Sequence, residues 1–175
     1  ETSGFVTISP DLVTIPNAGP GHVAEIGPNT ASVAFPTNRT SATQSDWAVQ
    51  ATIRIDTVDT GAPRRVLVVG AGGEGLQLLG SGELEWYGAG AGTVPLDLPA
   101  VADGDWLNVV LSADGGALTA YVANLTTDDD PGTDTLPGIA PDLAQDVTVL
   151  PAVNDSAGAV ARLRVFDGPI TDPTA

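Results

Sequence analysis

At 175 residues the chain is long enough for one domain burying roughly 70% of its unfolded surface, and the absence of Cys excludes disulfide staples and thiolate metal sites. Six Arg, no Lys and 22 acidic residues give a net charge of −16, which repels nucleic acid and anionic membrane surfaces and argues against both as partners. No run approaches the roughly 18 consecutive apolar residues of a membrane-crossing helix, so membrane insertion is not expected.

Short β-prone runs open the chain, at Phe5 to Ser9 and Leu12 to Ile15, separated by Ser9-Pro10-Asp11, where Pro fixes φ and Asp bonds nearby backbone. Similar runs follow at His22 to Ile26 and Ala31 to Phe35. The polar stretch Thr37 to Asp46 leads into the clearest single strand, in which Trp47, Val49, Ala51, Ile53 and Ile55 share one face. Val66 to Val69, Leu76 to Leu79 and Glu83 to Tyr87 continue the β pattern around glycine-rich turns. Pro95 demotes Val94 to Leu98 to an edge strand or an extended crossing.

The strongest pairing signal lies between Asp103 and Asn124. Leu107, Val109, Leu111 and Ala113 alternate on one face, Asp114-Gly115-Gly116 supplies a hairpin turn, and Leu118, Ala120 and Val122 alternate on the return strand. Thr126 to Pro141, rich in Asp, Thr, Pro and Gly, reads as a long rim loop, with one helical turn at Asp142 to Gln145. Val147 to Leu150 and Val160 to Phe166 are the last strands, and residues 169–175 form an exit tail. About a dozen short strands without an amphipathic helical run predict an all-β, two-sheet antiparallel β-sandwich. No linker divides it, so residues 1–175 are expected to form one domain, with residues 1–20 as an N-terminal arm.

Three segments in order resemble the laminin G-like, concanavalin A-like jelly-roll family. Ser45-Asp46-Trp47 through Asp56 is similar to its strand that opens with a polar turn and an aromatic. Gly104-Asp105-Trp106 through Asn124 resembles its hairpin, and Gly158 to Ile170 resembles its closing strand. The resemblance covers roughly Ala31 to Ile170 and implies two packed antiparallel sheets of about six or seven strands each, with binding by rim loops or a sheet face. Such a fold does not fix a function.

Several residues carry candidate chemistry. Val66 to Gly75 matches an apolar strand followed by GxGxxG, but no helix can start at these glycines, so the stretch reads as a hairpin loop rather than a dinucleotide site. Asp128, Asp129, Asp130 and Asp134 put four carboxylates within seven residues, and hard oxygen ligands suit calcium; Asp128, Asp130 and Asp134 are the candidate ligands. Glu83 and Glu85 share a strand face, but the longer acidic array of glycan hydrolases on related sandwiches is missing. His22, the sole imidazole, has no companion ligand and reads as structural. Because Trp86 and Tyr87 are neighbours on one strand, they point to opposite faces. That makes this pair the candidate aromatic contact to a glycan or protein.

The expected role is a non-catalytic adhesion or structural module displayed outside the cytoplasm. Residue usage without Lys, with abundant Ala, Gly, Asp, Thr and Val, matches GC-rich bacterial coding or a virus of such a host, which favours a bacteriophage capsid decoration or tail protein. Glycans or surface proteins, neighbouring virion or surface subunits and a second copy of the chain are the expected partners, the arm at residues 1–20 offering a strand to a neighbour's sheet edge. The alternatives are a calcium-assisted lectin of a secreted bacterial protein and a glycan hydrolase using Glu83 or Glu85. Glu1 in place of Met reads as a chain processed or cut from a longer product.

Overall fold

The computed structural model describes residues 6–8, 13–15, 19–21, 23–26, 33–37, 45–59, 61–88, 92–127, 129–139, 141–151 and 157–171. It is an antiparallel β-sandwich. A seven-stranded sheet runs in the order β1 (Val6–Ile8), β4 (Ala24–Ile26), β15 (Gly158–Phe166), β6 (Asp46–Ile55), β11 (Trp106–Asp114), β12 (Ala117–Asn124), β13 (Gly132–Pro137). A six-stranded sheet runs β10 (Gly92–Pro95), β9 (Leu84–Gly88), β8 (Gly75–Leu78), β7 (Arg64–Gly70), β14 (Leu143–Val149), β5 (Val33–Pro36). A small ribbon pairs β2 (Val13–Ile15) with β3 (Gly19–Gly21). No helix of the described residues is long and apolar enough to cross a membrane.

Period-two alternation decides which face of each strand is buried. On β6 and β11 the residues Trp47, Val49, Ala51, Ile53, Leu107, Val109 and Leu111 are buried and meet Val66, Leu67, Leu76, Leu84, Trp86 and Val147 of the facing sheet. Trp47 also donates its indole N–H to the carbonyl of Pro141 at 2.8 Å, tying β6 to the segment that enters β14. The hairpin forms as expected, with Asp114 paired to Ala117 around a two-residue Gly115-Gly116 turn. Gly115 takes φ +43°, the left-handed conformation that such a tight turn requires and a side chain resists. At Gly82, φ +89°, a Cβ would collide with the backbone of Val101, whose N–H donates to the Gly82 carbonyl at 2.8 Å. That bond pins the segment crossing between the sheets.

Two expectations are corrected. The long rim loop contains β13, an edge strand paired to β12 from Gly132 to Pro137. Its Thr-Asp-Thr-Leu alternation was hidden by Asp, Gly and Pro, and an edge position tolerates Pro137. The helical turn at Asp142 to Gln145 is absent: Leu143 opens β14 and pairs with Gly70, with a register shift before Thr148. Within residues 1–20, β1 pairs with β4 and forms an edge of the seven-stranded sheet.

Two polar groups inside the sandwich stand apart from the apolar core. Arg64, 1% exposed, has no hydrogen-bond partner at Nε, Nη1 or Nη2, and neither has Trp86 at Nε1. Burial pushes the Arg64 guanidinium below its ordinary pKa, against the opposing charges of Asp103 and Asp56. By contrast, the amide of Asn124 donates to Asp105 Oδ2 at 2.7 Å and its oxygen accepts the N–H of Thr126 at 3.0 Å. The Asp105 carboxylate also accepts the N–H of Ala102 at 2.8 Å, so this buried cluster holds the turns at one end of the hairpin.

Candidate functional site

The outer face of the seven-stranded sheet is a grid of registered rows. Val110, Tyr121 and Thr133 stand side by side on β11, β12 and β13; Ser112, Thr119 and Thr135 form the next row; Asp114 and Ala117 end the hairpin. All are the residues left outward when their neighbours turn into the core. After β15 the chain bends at Asp167-Gly168 and returns over this grid, where the N–H of Ile170 donates to Ser112 Oγ at 2.9 Å. Between sheet and returning segment lies a cavity of about 550 Å³, walled by these rows and by Pro169, Ile170 and Thr171. That volume is in the usual range of small-molecule sites.

The lining combines one aromatic ring, Tyr121, with the hydroxyls of Ser112, Thr119, Thr133 and Thr135 and the carboxylate of Asp114. Thr119 and Thr135 hydroxyls lie 3.1 Å apart, so one donates to the other and both keep capacity for a ligand. Tyr121 is 7% exposed, so the cavity meets only part of its ring, flanked by hydroxyls and a carboxylate that can exchange hydrogen bonds with a hydroxylated ligand. On the adjoining strand β6, on the same face, Arg54 sits 5.6 Å from the Trp106 ring and bonds Glu25 and Asp56 at 2.8 and 2.7 Å. The hydrogen bond to Asp56, opposed by burial and aided by the charges of Asp56 and Glu25, raises its pKa.

The residues singled out from sequence fall elsewhere. Trp86 is 0% exposed in the inter-sheet core, which leaves Tyr87 as the member of the pair on an outer face. There Arg65 lies over its ring at 4.2 Å, next to a Gln77 amide that donates to Glu85 at 2.9 Å. Glu83 is exposed and accepts from Ser81 Oγ at 2.9 Å. Of the calcium candidates, Asp128 lies outside the described residues and Asp130 is exposed. Asp134 is occupied by backbone, Oδ2 accepting from Asp97 N at 3.0 Å and Oδ1 from Thr135 N at 2.7 Å. Among the described residues no three acidic or imidazole groups assemble to hold a metal ion. His22 also lies outside the described residues.

The GxGxxG stretch is the β7–β8 hairpin loop. Gly72 N–H donates to Glu74 Oε2 at 2.8 Å and Gly70 N–H to the Glu74 carbonyl at 2.9 Å, so the chain's own groups take the amides a phosphate would need. The cavity residues were missed because Tyr121 and the Thr residues read only as the outward half of alternating strands.

No protein-family model matches the chain, and no curated protein matches it by sequence. Solved structures do share its fold. Trypanosoma rangeli sialidase, as the covalent intermediate with 2,3-difluorosialic acid, aligns over 97% of this chain with a TM-score of 0.62 and 15% identity. Domain 4 of an extracellular GH43 arabinanase from Geobacillus stearothermophilus, in complex with arabinotriose, aligns over 98% of this chain and 79% of its own, with a TM-score of 0.53 and 14% identity. The binding domain of botulinum neurotoxin serotype D aligns over 96% of this chain and 44% of its own, with a TM-score of 0.53 and 10% identity. This chain spans 27–31% of the length of the sialidase chains. These likenesses support the β-sandwich; no laminin G family emerges from them. The sequence reading had excluded an enzyme, and that exclusion is overturned: sialidases are among the structures sharing the fold, over 91–99% of this chain.

Proposed function

We propose that the chain is a laminin G-like glycan-recognition domain that takes its ligand into the cavity between the seven-stranded sheet and the returning segment Pro169 to Thr171. The observation carrying this reading is the lining itself: Tyr121 beside Ser112, Thr119, Thr133 and Thr135 in a space of about 550 Å³. Hydroxyl-rich ligands need an aromatic surface for their apolar ring face and several short polar side chains for their hydroxyls. Support comes also from the sialic acid and arabinotriose named with two of the structures that share the fold. Display outside the cytoplasm, on a virion or a bacterial surface, belongs to the same proposal and is supported by the net charge of −16 and the Lys-free composition.

The test is a glycan array followed by calorimetric titration of each binder, with calcium and with a chelator. Wild-type protein is expected to bind saturably. Tyr121→Ala should lose at least about tenfold in affinity, as expected for removal of an aromatic anchor at the centre of a site. Thr119→Val keeps the side-chain shape and should weaken binding without lowering the melting temperature. Saturable binding unaffected by both substitutions would place the ligand elsewhere.

A further inference from the structure

The charges around the cavity select among glycans. Among the described residues of its lining, Asp114 is the one that carries a charge. Directly across the β6–β11 register from Asp114 stands a second exposed carboxylate, Asp46, and Asp167 stands exposed where the chain turns back over the sheet. The described cations on this face stand away from the cavity. Arg164 pairs in register with Gln50, which pairs with Val110, so two strand spacings separate it from the cavity wall; Arg162 is in the adjoining row. Arg54 is engaged by Glu25 and Asp56.

We infer that the cavity selects neutral glycans and rejects those carrying a carboxylate, with Asp114 as the specificity-determining residue. This rests on the glycan-recognition reading above. A carboxylate accepts hydrogen bonds and donates none, so Asp114 can take one or two sugar hydroxyls in charge-assisted bonds, while a ligand carboxylate in the same place finds a like charge. Among the described residues no guanidinium lies in the lining to offset that repulsion. Specificity then comes from a repulsive element as much as from an attractive one. The sialidases share the fold with this chain, but among the described lining residues none carries the positive charge that an acidic sugar would call for.

The experiment compares each neutral binder from the array with its acidic counterpart on the intact chain, using galacto-oligosaccharides against oligogalacturonides and lactose against sialyllactose among the probes. At low salt the acidic member is expected to bind at least about tenfold more weakly, and the gap should narrow as salt screens the repulsion. Asp114→Asn, close in shape, should weaken the neutral glycan severalfold and bring the acidic one to within about threefold of it. Equal affinity for both members in wild-type protein, lost in Tyr121→Ala, would overturn the charge selection and leave the cavity as the site. An Asp114→Asn variant with an unchanged gap would overturn the role of Asp114. Failure of every glycan to bind would overturn the recognition reading and this inference with it.

Discussion

The two outward faces of the sandwich carry similar chemistry and arrange it differently. On the six-stranded sheet, Arg65 covers Tyr87 at 4.2 Å and Gln77 donates to Glu85 at 2.9 Å, so aromatic and polar groups are spent on one another. On the seven-stranded sheet, Thr119 and Thr135 also bond one another at 3.1 Å, but here a returning chain segment is tied to the sheet by the 2.9 Å bond from Ile170 N to Ser112 Oγ and leaves a cavity between them. A flat sheet face has no concavity of its own. The contrast teaches that outward residue types alone do not make a site, and that here the returning segment supplies the missing wall.

The largest effect is expected beneath the functional face. Asn124→Ala would strip a buried acceptor from Thr126 N–H and a donor from Asp105, costing about 1–3 kcal/mol in denaturant unfolding. Sharper for the comparison is the tyrosine pair: Tyr121→Ala should cost about 1.4 kcal/mol or more of glycan affinity, whereas Tyr87→Ala should leave titration curves unchanged. Equal losses from both substitutions would break the distinction between the faces. Ser112→Ala removes the acceptor that fixes Ile170 and should cost about 0.5–1.5 kcal/mol in stability, with faster amide exchange at Ile170 and weaker glycan binding. The smallest change is expected for Arg65→Ala, which gives up a partly exposed stacking contact of about 0.5–1 kcal/mol and should not alter glycan titration.

The buried Arg64 offers a control within the core that both faces share. A guanidinium 1% exposed with three unpartnered nitrogens bears a desolvation cost that the charges of Asp103 and Asp56 offset only in part. Arg64→Met should therefore leave unfolding stability unchanged or raise it by about 1 kcal/mol, at unchanged glycan affinity. A marked loss of stability would mean that Asp56 or Asp103 compensates the charge at longer range.

The legible parts of the fold were those in which one face of a strand is fully buried. Trp47 to Ile55 and the hairpin from Leu107 to Val122 alternate cleanly because each second residue enters the core, so their existence, pairing and turn could be read directly. β13 was not legible, because an edge strand keeps Gly, Asp and Pro at its margins and buries little besides Leu136. The choice between Trp86 and Tyr87 was open as well: alternation puts them on opposite faces without saying which face another sheet covers.

By itself the sequence determined the all-β class, the central hairpin, the acidity and the poor prospects for a dinucleotide site, since these depend on local periodicity, turn chemistry and summed charge. Only the tertiary structure decided where a cavity forms. The cavity requires β13 beside β12 and Ile170 bonded to Ser112 across 58 residues of sequence, and such long-range register is set by the closing of the two sheets on their shared core rather than by any local pattern.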